Sequence, residues 1–284
     1  GPFQQPFSCR HHGTAYVPGL SHVNRPARKR FGQNFLTDSS VIRRIVDTLA
    51  VRDDELLIEI GPGRAALTRA LLKTGADLIA VEIDRDLAAD LRDRFADEPR
   101  LSIEQADALQ TDFGSLAKGR PYRLLGNLPY NISTPLIFHV LGQQQLPLDM
   151  HFMLQKEVVR RMAAGPGSRN YGRLSVMCQN RCEIVPLFEI GPGSFDPRPK
   201  VDSGFVRLQP RPVPLSGHDG EALLAEVVRQ AFSKRRKTLR NSLSGLFTSE
   251  QIQSANVDPA LRAEQLSIES FLDLAALLDN SPAR

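Results

Sequence analysis

The chain has 284 residues, 41% of them apolar and 24% charged, and a formal net charge of +4. That length supports one large domain, or a large one plus a small one, with a core of ordinary size, and no run of eighteen apolar residues offers a membrane-spanning helix. Three cysteines (Cys9, Cys178, Cys182) are too few and too odd in number for a disulfide framework and suit a reducing compartment, and six scattered histidines form no HExxH or HxE…CxxC pattern, so no metal is expected.

Residues 1–27 are rich in Pro, Gly, His and Ser without an apolar core, which reads as a mobile tail, with ordered chain expected from about Arg28. A basic cluster, Arg25, Arg28, Lys29 and Arg30, spans this boundary. The pentapeptide EIGPG then occurs twice, at Glu59–Gly63 and Glu189–Gly193. The first copy follows Leu56, Leu57 and Ile58, a run that suits a buried strand. It precedes RAALTRALLKTG, where Ala66, Leu67, Ala70 and Leu71 share a helical face and Gly75 offers a stop. A strand–turn–helix of this kind aims backbone N–H groups at whatever lies above the strand end. The next strand, DLIAVEID, ends in Glu82 and Asp84. Glu82 stands roughly twenty residues past Gly61, the spacing at which doubly wound folds hold ribose hydroxyls. Ala65 and Ala66 stand where a dinucleotide fingerprint wants its third glycine, which favours a nucleoside lacking phosphates.

Further strands are predicted at 101–106, ending at Asp107, at 122–127, closing on GNLPYN, and at 150–155; helices are predicted at 133–141 and over KEVVRRMAAG. CEIVPLFEI and VDSGFVRLQP are strand-like and flank the second EIGPG. Pro197 and Pro199 deny a helix there, so that copy is a connecting loop. The alternation implies an α/β fold with a mainly parallel, doubly wound sheet. Cys178 and Cys182, one helical turn apart, read as core. At Pro210 the texture changes: RPVPLSGHDG is a linker, and helices are predicted at 221–233, 236–247 and over SIESFLDLAALLD. The expected division is a catalytic domain over 28–210 and a helical domain over 211–284. A second basic cluster, Lys234, Arg235, Arg236, Lys237 and Arg240, favours a polyanionic partner.

Ligands of open parallel sheets bind beyond the carboxyl ends of the strands, which puts Gly61, Glu82, Asp107 and Asn127 on one edge. An adenine amine is a poor nucleophile because its lone pair is delocalised into the ring. The Asn127 carboxamide oxygen and the Leu128 carbonyl could grip its two hydrogens, with Pro129 fixing the chain direction and Tyr130 stacking on the base.

KRFGQNFL, IEIGPGRAALT, VEID, QADAL, GNLPYNIS, FDPRPKVDSGFVRL and AFSKRRKTLRNSL, in this order, resemble the bacterial small-subunit ribosomal RNA adenine dimethyltransferases, the kasugamycin-resistance methyltransferase family, from about Lys29 to the C-terminal helices. GNLPY and QNFL are the most specific of these segments. The resemblance implies a Rossmann-like class I methyltransferase that uses S-adenosylmethionine to place two methyls on each of two adjacent adenosines in the 3′-terminal hairpin of small-subunit RNA. It further implies a cytoplasmic monomer acting on an immature subunit, without membrane or metal. Carried over by the same resemblance, Gln33, Asn34 and Leu36 line the cofactor pocket and Gly61 and Gly63 approach its methionine part. Glu82 then holds the ribose, Asp107 the cofactor's adenine amine, and Asn127 touches cofactor and target. Phe195, placed by the second EIGPG, forms with Tyr130 a sandwich for a flipped target base. Arg160, Arg161 and the 234–240 cluster are candidate phosphate contacts. Arg64 departs from the family pattern and is expected to face solvent. Two rivals stay open: an NPPY-type enzyme acting on DNA adenine or glutamine, from which Leu128 leans away, and an RNA-binding scaffold without activity, which the presence of Glu82, Asn127 and Tyr130 disfavours.

Overall fold

The computed structural model describes residues 33–234 and 236–279. The expected tail, the start near Arg28, Cys9, the first basic cluster and Arg235 of the second lie outside the described residues. In chain order the elements are β1 (Phe35–Leu36), α1 (Ser39–Leu49), β2 (Leu56–Ile60), α2 (Ala66–Leu72), β3 (Asp77–Glu82), α3 (Arg85–Arg94), β4 (Leu101–Gln105), α4 (Phe113–Leu116), β5 (Arg123–Asn127), α5 (Ser133–Leu141), β6 (Met150–Gln155), α6 (Lys156–Ala163), α7 (Arg173–Arg181), β7 (Cys182–Ile190), β8 (Phe195–Asp196) and β9 (Ser203–Pro210). The C-terminal helices are α8 (Gly217–Ala231), α9 (Leu239–Ser242), α10 (Ser249–Ser254) and α11 (Ile268–Asp279).

The expected doubly wound sheet is present, with seven strands in the order β4-β3-β2-β5-β6-β9-β7. The strands from β4 to β6 run parallel, and β9 and β7 close the edge antiparallel. Leu57, Ile58, Leu124, Leu125, Phe152 and Leu154 are all but fully buried, as strands covered on both faces require. The strand order reverses between β2 and β5, the switch point where such sheets bind ligands. There Gly126 lies opposite Ile60, and a Cβ on Gly126 would sit 2.4 Å from the Ile60 carbonyl oxygen. Only glycine lets the two central strands approach at the mouth of the site.

Several expectations are modified. The helix read over 236–247 is only the four residues of α9. The Leu239 and Arg240 N–H groups donate to the carbonyls of Leu261 and Pro259, and Thr238 bridges to Arg262, so the chain bonds across to 259–262 instead of coiling on. Cys178 lies in α7, an unanticipated helix, while Cys182 opens β7. Both are fully buried in the core, and burial pushes each thiol up to about 12. The C-terminal helices form their own apolar core, but Ala164, Tyr171, Val176 and Met177 from before residue 211 belong to it.

Candidate functional site

A cavity of about 200 Å³ opens at the switch point. Its wall is built from β1, the turn after β2, the end of β3, the turn after β4 and the end of β5. It collects Gln33, Asn34, Leu36, Gly61, Gly63, Glu82, Asp107, Asn127, Leu128, Pro129 and Tyr130. Of the site residues expected from sequence, Phe195 alone is not on this wall.

The turn after β2 is left-handed at Gly61 (φ 66°), Gly63 (φ 54°) and Ala65 (φ 67°). It brings the Gly63 N–H to Glu82 Oε2 at 3.2 Å, while the Asp84 N–H donates to Glu82 Oε1 at 3.0 Å. Burial raises the Glu82 carboxyl above its usual range, and the two N–H groups partly offset this. Glu59, in β2, also faces the cavity and accepts the Thr68 hydroxyl at 2.6 Å. Burial pushes it up to about 7, with the negative Glu82 adding to the rise. Asp107 Oδ1 accepts the Leu109 N–H at 2.9 Å.

Three carboxylates thus converge on one cavity, and Arg64 is the one cation among the described lining residues. Arg64 is not simply turned to solvent: its guanidinium meets Asp196 at 3.0 Å and lies 4.5 Å over the Phe35 ring, tying β8 to β1 at the rim. Phosphates would meet carboxylates here. A cationic ligand with hydroxyl and amine donors fits the set, and Gln33 Oε1, buried without a partner among the described residues, is one more acceptor. S-adenosylmethionine, with its sulfonium, ammonium, ribose hydroxyls and adenine amine, has that chemistry.

At the end of β5, Asn127 Nδ2 donates to the Asn34 carbonyl at 2.6 Å. That bond orients the amide and leaves Oδ1 as an acceptor. The Leu128 N–H donates to the Met153 carbonyl at 3.3 Å, and its side chain is buried, so the motif is anchored to the neighbouring strand. The Tyr130 hydroxyl lies 3.0 Å from Ser203 Oγ, and Ser133 Oγ donates to the Tyr130 carbonyl at 3.0 Å.

Phe195 is 3% exposed, in β8 opposite Leu36, and packs in the apolar cluster that holds Leu36 and Met153. The ring expected as a second wall is turned into the core. The turn of the second EIGPG holds β1 instead: the Ser194 carbonyl accepts the Thr37 N–H at 2.9 Å, and its hydroxyl donates to Asp38 at 3.1 Å. Sequence reasoning missed Glu59, although a lone acid in the buried strand LLIEI was a usable signal. It also missed Ile83, an exposed apolar side chain between two acids on the cavity wall. Ser203, which steadies Tyr130, carried no signal.

Comparison with known proteins agrees. The profile described as ribosomal RNA adenine dimethylase matches residues 24–280. The chain is 53% identical over 257 residues to a protein of Pseudomonas aeruginosa named ribosomal RNA small subunit methyltransferase A, covering 90% of this chain and 96% of that one. A protein of the same name from Hahella chejuensis is 52% identical over 262 residues, 92% of this chain and 96% of its own. Among solved structures, the 23S rRNA methyltransferase ErmE superposes with a TM-score of 0.70 at 26% identity, covering 87% of this chain and 100% of that one. A dimethyladenosine transferase from Plasmodium falciparum shares the fold, with a TM-score of 0.72 at 24% identity over 86% of this chain and 97% of its own. With this cavity, this strand order and relatives matched nearly end to end, the chain belongs to the ribosomal RNA adenine dimethylase family.

Proposed function

We propose a residue-level account of adenine dimethylation at this cavity. The chain is an S-adenosylmethionine-dependent rRNA adenine dimethyltransferase of the small ribosomal subunit. The observation that carries the site assignment is the Asn127–Asn34 hydrogen bond, because it commits the amide nitrogen and leaves an oxygen at the strand end.

Glu82 would hold the ribose hydroxyls, Asp107 the cofactor's adenine amine, and Gln33, Asn34 and Leu36 would close the pocket from the N-terminal side, with Gly61 and Gly63 against the methionine part. Glu59, on the same wall, joins them as a carboxylate for the cofactor's ammonium group. When bound, the cofactor supplies an electrophilic methyl on a positive sulfur. Asn127 Oδ1 and the Leu128 carbonyl accept the two hydrogens of the target amine and draw its nitrogen toward a tetrahedral shape, which frees the lone pair. Positive charge develops on that nitrogen as the bond forms, and the two oxygen dipoles stabilise it. Tyr130, steadied by Ser203, stacks on the flipped base and holds it in line. As the methyl passes from sulfur to nitrogen its bond to sulfur breaks, and the cationic amine then gives up one proton to water; a single hydrogen remains, so one of the two oxygens must then face a methyl. Phe195 can serve as a second wall only if its ring leaves the cluster with Leu36.

The finer target is two adjacent adenosines of the 3′-terminal hairpin in an immature subunit, methylated by a monomer in the cytoplasm. Support for it comes from the motif resemblance and from relatives named for the small subunit. Incubation of immature small subunits with methyl-labelled donor, then mass spectrometry of the digested RNA, tests it. Two neighbouring dimethyladenosines are expected; label in other bases, or only in adenosines that are not adjacent, would overturn it.

A further inference from the structure

A second opening lies away from the catalytic cavity. It is a cleft of about 710 Å³ between α6, the loop at 167–172 and the turn after α8. The loop is fixed to the helical unit by the Gly167 N–H, which donates to the Glu264 carbonyl at 2.7 Å. Arg161, Arg169, Lys234 and Lys237 all line the cleft, and none of them makes an ion pair among the described residues. Four cations against the two carboxylates of Glu157 and Glu264 leave an excess of positive charge around one hollow, with none of the four cations ion-paired among the described residues, and this points to an anionic ligand.

The wall is not uniformly basic. Glu157 and Glu264 also line it, together with Asn170 and the Phe232 ring. Phe232 is half-buried; it packs edge-on to Tyr171 at 6.2 Å and tilted on Phe271 at 5.7 Å. Tyr171 is 6% exposed, and its hydroxyl has no partner among the described residues. An acidic peptide has no use for an aromatic face. A nucleotide uses every part: cations for its phosphates, an aromatic ring for its base, and carboxylate and amide groups for its base edge. The volume falls within the roughly 300–1,000 Å³ of small-ligand sites.

We infer that this cleft seats one unstacked nucleotide of the RNA substrate, separate from the adenosine that enters the catalytic cavity. Arg161, Arg169, Lys234 and Lys237 hold its phosphates, Phe232 takes a face of the base, and Glu157 with Asn170 reads its edge. The inference rests on the reading that the chain acts on RNA. A nucleotide seated here fixes the register of the RNA while the target base is free to leave its stack.

The test uses the full chain and fluorescence anisotropy with five probes: pentaribonucleotides of A, C, G or U and an abasic pentamer of the same charge. At least one base should bind tenfold or more tighter than the abasic probe. Arg169→Ala with Lys237→Ala should weaken that binding tenfold or more and reduce the slope of log affinity on log salt by roughly 1.4, the value for two lost contacts to a single strand. Glu157→Gln with Asn170→Ala should change the base preference and leave the salt slope alone. S-adenosylmethionine affinity and thermal stability, measured on each variant, report whether the fold and the catalytic cavity are intact. Equal binding of the abasic probe, unchanged affinity in the Arg169/Lys237 variant, or displacement of the probes by a glutamate decapeptide at equal concentration would overturn the inference. Methyl transfer to small subunits by the unaltered chain is run alongside. Transfer with an indifferent cleft defeats only this inference, whereas absence of transfer defeats the functional reading itself.

Discussion

At the scale of residues, the site is a balance between burying carboxylates and providing them with a cation. Glu59 has its carboxyl raised to about 7, and Glu82 is raised too, both chiefly by burial. For a raised carboxyl the sign is definite: the neutral form favours the free folded state, so this contribution to stability is complete below 4.5 and is lost as pH rises through about 7. A cationic ligand reverses the preference by favouring the ionised form. Affinity for S-adenosylmethionine should therefore rise between about pH 6 and pH 8 with release of up to one proton, and Glu59→Gln should flatten the rise. Calorimetry in buffers of different ionisation heat measures both, and a pH dependence retained in full by Glu59→Gln would clear Glu59 of the role. Tyr130 separates ring from hydroxyl. Tyr130→Ala should cost roughly 5- to 150-fold in methyl transfer, the stacking range of about 1–3 kcal/mol. Tyr130→Phe, which loses only the Ser203 contact, should cost less than tenfold, and equal losses from both would mean that the hydroxyl rather than the stack matters. These strand-end residues were legible because a polar group closing an apolar strand stands out. Glu59 was hidden within EIGPG, where the glycines draw the eye, and the inward turn of Phe195 depends on contacts with β1 that no local pattern encodes.

At the scale of elements, two identical pentapeptides take different structures because the residues after them differ. After Gly63 comes a helix. The turn is left-handed at Gly63, and a Cβ there would lie 2.7 Å from the Phe35 ring. The second copy makes only a single 3-10 turn, Pro192–Ser194, before the strand β8, and a Cβ on Gly193 meets nothing within 4 Å. Gly63→Ala should thus lower the melting temperature by several degrees, given a cost of about 1–3 kcal/mol, and weaken cofactor binding. Gly193→Ala should be neutral in both. Thermal denaturation of the two variants decides, and equal effects would contradict the assignment of one copy to the cofactor and the other to a structural turn. The parallel strands and the helices between them were readable from apolar runs and their stops. The pairing of β1 with β8 was not, since two-residue strands leave no periodicity, and neither was the shortness of α9, which is set by bonds to 259–262.

At the scale of the molecule, the sequence break at Pro210 is real in texture but does not separate the cores. Ala164, Tyr171, Val176 and Met177 are buried among Leu224, Val227, Phe271 and their neighbours, and Arg181 pairs with Glu221 at 2.7 Å. Removal of residues 211–284 would strip that cover, exposing several apolar side chains at about 1.5–3 kcal/mol each. The truncated chain should melt well below the full chain or aggregate. A truncated protein of unchanged melting temperature that binds cofactor normally would show instead that the first unit is autonomous. Charge patterning singled out Arg160, Arg161 and the 234–240 cluster as candidate contacts for a polyanion. It could not show that Arg160 is engaged by Glu189 at 3.2 Å while Arg161 lines a cleft without an ion pair among the described residues, because that depends on which way α6 is turned.

The most direct measurement is single-turnover methyl transfer to immature small subunits at saturating S-adenosylmethionine, comparing the unaltered chain with Asn127→Ala. If the Asn127 oxygen grips the target amine, the variant should slow transfer by about 10²–10³-fold, the loss typical of one preorganised polar group at the reacting centre, with cofactor affinity changed by less than tenfold. Transfer within threefold of the unaltered rate would contradict it.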